Sequence, residues 1–208
     1  FCYDYEQSIA GYTGGTYEYV NGNWEELLEK LGKGEIDLIG AVSYTDERAQ
    51  KMLFSDEPMG MEKYYLYAKI GTKGISATDL STMNGKRVGV LYGSVQGKAF
   101  DEWKAKHNLQ MENVYVKGFD DTRELLGNNE LDGFVTIETP YWEKYGMFSV
   151  ATISTSGIYF VVNKNRPDLK QELDAAMRKM DYDKPFYVNG LYKRYYPEAS
   201  SAVLSPEE

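Results

Sequence analysis

The alternation of apolar and polar residues predicts a chain of short helices and strands. Apolar residues recur at helical spacing at Trp24, Leu27, Leu28 and Leu31, which predicts an amphipathic helix that stops at the glycines that follow. The next apolar run, IDLIGAV at 36–42, is brief, as a buried parallel strand is. The polar cluster SYTDER at 43–48 comes directly after it. Polar groups are therefore predicted at the carboxyl end of a strand, where open α/β sheets bind ligands.

The rest of the sequence alternates between apolar residues at helical spacing and the apolar or β-rich runs of strands. Helical spacing and starting residues predict helices at 1–11, 98–107, 120–126, 167–180 and 185–195. β-rich or uninterrupted apolar runs predict strands at 16–20, 61–70, 87–92, 114–116 and 157–163. Strands that alternate with helices in this way are typical of an α/β fold. The tail at 197–208, with Pro and acidic residues, has the composition of a linker.

One helix-to-strand corner occurs twice. The stretches LGKGEIDLI at 31–39 and LGNNELDGFV at 126–135 both pass from a predicted helix to a predicted strand through Glu, then Ile or Leu, then Asp. The repeat suggests two lobes built on one plan, although short repeats also arise by chance.

The polar cluster after the first strand contains Arg48, whose planar guanidinium can bind a carboxylate through two parallel hydrogen bonds. The competing interpretation is a surface arginine that pairs with Asp46 or Glu47, as exposed ion pairs commonly do. Thr45 is the better cap for a helix that starts at Asp46, which leaves Ser43 as the ligand contact of the two hydroxyls.

A second turn with binding chemistry follows the strand at 87–92. The sequence GSVQG at 93–97 leads into a helix, and this order aims backbone N–H groups and a helix N-terminus at an anion. It contains neither of the glycine patterns that mark nucleotide phosphate sites.

Composition excludes several classes of partner and cofactor. The net charge is −9, and no cluster of Lys and Arg is present, which argues against nucleic acid. Cys2 and His107 are each the single residue of their type, so the sequence predicts no disulfide, metal site or other cofactor. The 19 tyrosines offer contact area and hydroxyls for binding, or simply a Tyr-rich core and surface. The sequence has no 18-residue apolar run, and we expect no leader peptide among these residues.

At the residues of the first corner the chain resembles the bacterial extracellular solute-binding proteins of family 3. Their amino-acid receptors carry an apolar-Asp strand, a Ser/Thr-x-Thr-x-x-Arg turn and a Phe-Ser-x-x-Pro segment, matched here by Asp37, by SYTDER at 43–48 and by FSDEP at 54–58. The resemblance implies a type II periplasmic-binding-protein-like α/β fold with two lobes and two crossover strands. Lobe 1 would comprise 1–68 plus 158–208, and lobe 2 would comprise 69–157. The family places a further strand and loop before the first helix, so we expect the N-terminal strand to be missing from this sequence.

The resemblance also implies the residues that contact a ligand in a cleft between the lobes. Arg48 would hold the ligand carboxylate, with Ser43 beside it, and Trp24 would pack on the ligand side chain or lie in the core. Ser94 and the N–H of Val95 would complete the carboxylate site. Because the spacing from Asp37 to Arg48 is one residue short, the role of Ser43 could pass to the backbone at 41–42.

The ligand amine is held in the family by an acidic residue shortly after the strand that begins near Asp132. Equal spacing places Ile137 there, and a one-residue insertion places Glu138 there. A buried carboxylate needs a partner, so Glu138 should meet a cation or lie exposed.

The resemblance implies a periplasmic or extracellular domain that binds an amino acid or related small carboxylate without catalysis. The sequence at 4–31, 58–69 and 204–208 resembles sensor ectodomains of histidine kinases or diguanylate cyclases. This resemblance implies a membrane-tethered protein and a membrane-anchored signalling partner. The alternatives are the binding component of an ABC amino-acid transporter with a permease partner, a dehydratase of small carboxylic acids, or a receptor-like domain that acts through protein contacts alone.

Overall fold

A computed structural model of the chain describes residues 1–72, 74–139 and 141–196. The seven α-helices of the described residues are α1 (Cys2–Thr13), α2 (Trp24–Lys33), α3 (Asp46–Lys51), α4 (Gln96–Lys106), α5 (Phe119–Gly127), α6 (Pro167–Asp183) and α7 (Tyr187–Tyr195). The seven strands are β1 (Leu38–Ser43), β2 (Met52–Phe54), β3 (Gly60–Lys69), β4 (Arg87–Leu91), β5 (Glu112–Val116), β6 (Gly133–Ile137) and β7 (Met147–Asn163). The alternation of helices and strands predicted from the sequence is confirmed, and the predicted linker at 197–208 lies outside the described residues.

The chain divides into two compact units. Unit 1 is Phe1–Met61 with Ser156–Glu208, and unit 2 is Glu62–Thr155. The chain therefore leaves unit 1 within β3 and returns within β7. The sequence-based lobe boundaries, at 68/69 and 157/158, stay a prediction.

Unit 1 contains a small antiparallel sheet that is covered on both faces. β1 and β2 both pair with the last part of β7. One core contains the apolar faces of α1, α6 and α7 and is centred on Phe160 and Met177. The other core contains Leu31 and Val42, with Trp24 packed at its margin. β1 therefore lies between two apolar layers, as its apolar sequence predicts. It pairs antiparallel with β7, however, so the prediction of a parallel strand is wrong. An apolar run indicates burial on both faces of a strand but does not determine the direction of its neighbour.

Unit 2 contains a sheet in the order β3-β6-β4-β5, in which β4 is parallel to both of its neighbours. The core that contains α4 includes Val88, Val90 and Phe100, and the core that contains α5 includes Leu126 and Phe134. Parallel neighbours bring the carboxyl ends of β4, β5 and β6 to one edge, and the turn at 93–95 begins there.

The prediction of a strand at 16–20 is wrong. This segment is irregular, and no described strand pairs with it. The Tyr19 hydroxyl donates to Glu6 Oε2 at 3.0 Å, and the Tyr19 ring lies 5.7 Å from the ring of Tyr3 on α1. Side-chain packing on a helix, rather than a hydrogen-bonded ladder, therefore fixes these β-rich residues.

Candidate functional site

Arg48 is oriented by the turn that joins β1 to α3. The Thr45 hydroxyl accepts the Arg48 N–H at 3.1 Å, so Thr45 caps the helix that begins at Asp46, as predicted. The Arg48 guanidinium donates through Nη1 to the Ser43 carbonyl oxygen at 2.9 Å. Ser43 itself is buried, and Arg48 is half-buried. The cap and the strand end therefore hold the guanidinium against unit 1 instead of leaving it extended into water.

Trp24 lies beside this guanidinium. It is the first residue of α2, where Asn23 accepts the Glu26 N–H and the Glu26 carboxylate accepts the Asn23 N–H. The Arg48 Cζ atom lies 5.4 Å from the centre of the Trp24 ring, within the range of a cation–π contact. The indole Nε1 is buried without an acceptor among the described residues. An unpaired buried donor is costly, which marks this position as one where an acceptor would be favoured.

β1 contains a bulge just before Ser43. The register against β7 shifts between Ile39 and Val42, and Ala41 adopts a φ of 57°, in the left-handed region. The Ala41 N–H points to the sulfur of Met59 at 3.3 Å. The bulge re-aims the strand just before the polar turn, a common arrangement beside binding sites.

In unit 2, Ser94 and Val95 lie where the chain turns from β4 into α4. Gly93 supplies a φ of 69°, which turns the chain directly after the strand. The Ser94 hydroxyl donates to the Leu91 carbonyl at 2.8 Å and accepts the Gln96 N–H at 3.3 Å. Val95 is the N-cap residue of the 11-residue helix α4. The predicted order of strand, glycine turn and helix N-terminus is confirmed.

Gln96 is a candidate that the sequence reasoning missed. Its side chain is buried, and its Oε1 atom has no donor among the described residues. It opens α4 directly after Ser94 and Val95. The signal in the sequence was a polar residue between Val95 and Gly97, and burial there is decided by the packing of α4 on the sheet.

Glu138 follows β6, and Ile137 is the last residue of that strand. The Tyr65 hydroxyl donates to Glu138 Oε1 at 3.3 Å, and the Glu138 N–H donates to the Lys63 carbonyl at 2.9 Å. Burial is the main cause that raises the pKa of Tyr65, and the negative charge of Glu138 adds to it. The half-buried Glu138 is therefore satisfied by a hydroxyl, an alternative to the cation or full exposure expected from the sequence.

Comparison with known structures places this fold among the type II periplasmic binding proteins. An ancestral arginine-binding protein bound to glutamine is 22% identical, with a TM-score of 0.77, over 94% of this chain and 87% of that chain. A histidine kinase sensor domain with similarity to periplasmic binding proteins is 16% identical, with a TM-score of 0.74, over 93% of this chain and 84% of that chain.

The sequence itself shows the protein family to which the chain belongs. The model of the bacterial extracellular solute-binding proteins, family 3, matches residues 1–198, and the chain belongs to this family. The L-cystine-binding protein TcyJ of Bacillus subtilis is 24% identical over 80% of this chain and 64% of its own length. The chain spans about a third to just under two thirds of the length of the curated relatives it matches. The described residues contain no helix with the length and apolarity needed to cross a bilayer.

Proposed function

We propose that the chain is an extracytoplasmic domain that binds an amino acid or a closely related small carboxylate. The observation that carries the proposal is the contact of Arg48 with the Ser43 carbonyl and the Trp24 ring, just past the end of β1. A guanidinium held in a partly desolvated position binds a carboxylate more strongly than one on a flexible, fully exposed side chain. Family membership and the arginine and cystine ligands named for its relatives support the choice of ligand class.

The remaining ligand contacts are assigned by their chemistry. Ser43 and Trp24 would contact the ligand beside Arg48, and the unpaired indole N–H would donate to a ligand oxygen. On unit 2, the Val95 N–H would donate to the carboxylate at the N-terminus of α4. The Ser94 hydroxyl would donate to it as well by exchanging its present acceptor, the Leu91 carbonyl, for the ligand. Gln96 Oε1 and the Glu138 carboxylate are acceptors, and both would suit an ammonium group.

We place this binding in the sensor ectodomain of a membrane-tethered signalling protein, with the ABC transporter role as the alternative. Use of the same fold in a histidine kinase sensor domain supports the first. The fold of a putative L-cystine ABC transporter protein supports the second. The native gene distinguishes them, because a membrane span soon after Glu208 favours the sensor and a stop codon there favours transport.

The test is a thermal-shift screen of the common L-amino acids, L-cystine and small dicarboxylates, followed by calorimetric titration of the best ligand. We expect Arg48→Ala to weaken its binding about 100-fold, the effect of losing charge-assisted hydrogen bonds to a carboxylate. Arg178→Ala is the matched control, because Arg178 lies exposed on α6 and pairs with Asp56.

The control should bind the ligand with wild-type affinity. If Arg48→Ala binds it as tightly as the wild type does, Arg48 is not the carboxylate ligand. If no compound in the screen raises the melting temperature, the small-ligand proposal itself is overturned in favour of a domain that acts through protein contacts.

A further inference from the structure

We propose that Tyr192 couples the last described helix, α7, to the point where the chain leaves unit 1. The Tyr192 hydroxyl accepts the Met61 N–H and donates to the Met61 carbonyl, so one side chain contacts both backbone groups of one residue. Met61 is the last residue of unit 1 on this pass of the chain, and Glu62 is the first of unit 2. α7 therefore holds the first part of the crossover strand β3.

Gly60 makes this contact tight. A Cβ atom on Gly60 would lie 2.6 Å from the Tyr192 hydroxyl oxygen and 2.8 Å from the Phe1 ring. The Phe1 ring itself lies 4.9 Å from the ring of Tyr192. Since no real Cβ approaches other atoms so closely, a methyl group added at Gly60 must displace one of these two rings.

The other side chains of α7 attach it to a different element. The Tyr187 hydroxyl donates to the Asp4 carbonyl at 2.9 Å, and Arg194 Nη1 and the Tyr195 hydroxyl both donate to Asp4 Oδ2 at 2.8 Å. These three bonds fix α7 on α1 at both of its ends. Tyr192, near the middle of the helix, is then the contact through which α7 can respond to the crossover.

This inference deepens the proposed sensor function, on which its biological meaning rests. Hinges between compact units consist of a few residues at the ends of elements that absorb changes in φ and ψ. A change at Gly60 and Met61 would move the Tyr192 hydroxyl, and α7 leads directly to residues 197–208. Coupling of this kind is established only by showing that two positions are energetically linked.

The test is a double-mutant cycle read by native-state hydrogen exchange, without ligand. Gly60→Ala is expected to speed exchange of the α7 amides about tenfold, because the new methyl group displaces Tyr192 and Phe1. Tyr192→Phe is expected to speed exchange of the Met61 amide, which loses its acceptor. In the double variant, the effect of Gly60→Ala on α7 should be at least threefold smaller, because the hydroxyl that the methyl group meets is gone.

Two control variants lie on α7 itself. Gly190→Ala adds a methyl group with no atom within 4 Å, so it should leave α7 exchange unchanged or slower. Tyr195→Phe removes a hydroxyl that contacts Asp4 rather than the crossover, so its effect should simply multiply with that of Gly60→Ala. If Gly60→Ala prevents folding, the comparison of Tyr192→Phe with Tyr195→Phe at the Met61 amide remains.

Equal acceleration of α7 by Gly60→Ala in the wild-type and Tyr192→Phe backgrounds would overturn the proposal. So would equal exchange of the Met61 amide in Tyr192→Phe and Tyr195→Phe. Because no ligand is used, these outcomes are independent of the Arg48 titration, and either proposal can fail without the other.

Discussion

At the residue scale, unit 1 contains a buried carboxylate, Asp174, that is not one of the candidate site residues. Asp174 on α6 is 4% exposed, and its carboxylate accepts the Asp56 N–H at 2.8 Å and Lys170 Nζ at 2.6 Å. Lys170 Nζ also donates to Asp56 Oδ1 at 2.6 Å. The FSDEP segment at 54–58, one of the motifs that carries the family resemblance, is thereby attached to α6. Part of this motif therefore serves the stability of unit 1.

We predict that Lys170→Met lowers the free energy of unfolding by roughly 2–3 kcal/mol at neutral pH, because Asp174 is left as a buried carboxylate without its cation. Burial alone would lower the pKa of Lys170, but its hydrogen bonds to Asp174 and Asp56 raise the pKa above its usual value. The hydrogen bond from Lys170 lowers the pKa of Asp56. Urea unfolding of both proteins across pH measures the loss.

The pH dependence follows from the sign of each shift. A raised lysine pKa stabilises the fold below the unfolded-state pKa, about 10.4, and this stabilisation is lost as pH rises through the folded-state pKa. A lowered aspartate pKa stabilises above about 3.9, and this is lost as pH falls through the folded-state value. The difference between wild type and Lys170→Met should therefore be flat from about pH 5 to 9 and shrink at both extremes. A difference in the free energy of unfolding that stays constant over the whole pH range would contradict this. Lys33→Met is the control, because Lys33 pairs with Glu29 at the exposed surface and its loss should lower the free energy of unfolding much less.

At the element scale, α2 ends where the sequence places its glycines. Gly34 adopts a φ of 75° and closes the helix through its N–H to the Leu31 carbonyl at 3.0 Å. Asn163 at the end of β7 donates through Nδ2 to the Leu31 and Gly32 carbonyls, at 2.7 and 3.1 Å. The C-terminus of α2 is thus fixed both by local geometry and by the neighbouring strand.

We predict that Gly34→Ala lowers the free energy of unfolding by about 1 kcal/mol, because alanine pays the steric cost of a positive φ. A Cβ there has space, with Asn163 Nδ2 at 3.8 Å, so the loss would come from the backbone. Gly32→Ala is the matched control, because it lies within the helix with no atom near the added methyl group and should stabilise by up to about 1 kcal/mol. Chemical denaturation checks both, and a shift of the same sign in the two variants would refute the assignment.

These elements also explain how much the sequence could predict. α2, α3 and α4 were predicted because caps, glycine stops and apolar spacing are local signals. The strand at 16–20 was predicted wrongly because a strand needs a pairing partner, and pairing is not visible in local sequence. Arg48, Ser43 and Trp24 were selected from the sequence and lie together in unit 1. The bulge at Ala41 and the burial of Gln96 were missed because both depend on how elements pack.

At the scale of the whole molecule, the repeated corner has the same ionic chemistry in both units. Asp37 in unit 1 pairs with Arg166 Nη1 at 2.9 Å, and Asp132 in unit 2 pairs with Arg87 Nε at 3.4 Å and also accepts the Arg87 backbone N–H at 2.9 Å. In each unit an aspartate near the start of a strand contacts an arginine at the start of another element. The short sequence repeat at 31–39 and 126–135 is thus matched by a repeated contact, which supports the interpretation of two units on one plan.

The order of the units along the chain predicts which one opens first. Unit 2 is continuous and inserted into unit 1, whose two segments flank it. If unit 2 opens while unit 1 stays folded, unit 1 must close a loop of roughly ninety flexible residues, at a cost on the order of 4 kcal/mol. Opening of unit 1 with unit 2 still folded carries no such cost. Unit 1 should therefore open at a lower free energy than unit 2 does.

Native-state hydrogen exchange in mild denaturant measures this asymmetry through the core amides of Val42 in unit 1 and Val90 in unit 2. Met177 and Met83 offer a matched pair of fully buried side chains, one in each unit, and truncation of either to alanine should cost about 2–5 kcal/mol. We expect Met177→Ala to lower protection at Val42, because unit 1 opens by itself. Met83→Ala should lower protection at Val90 and leave Val42 unchanged, because Val42 exchanges without unit 2 unfolding. Equal protection of the two amides in the wild type, or loss of Val42 protection in Met83→Ala, would show that the units open only together.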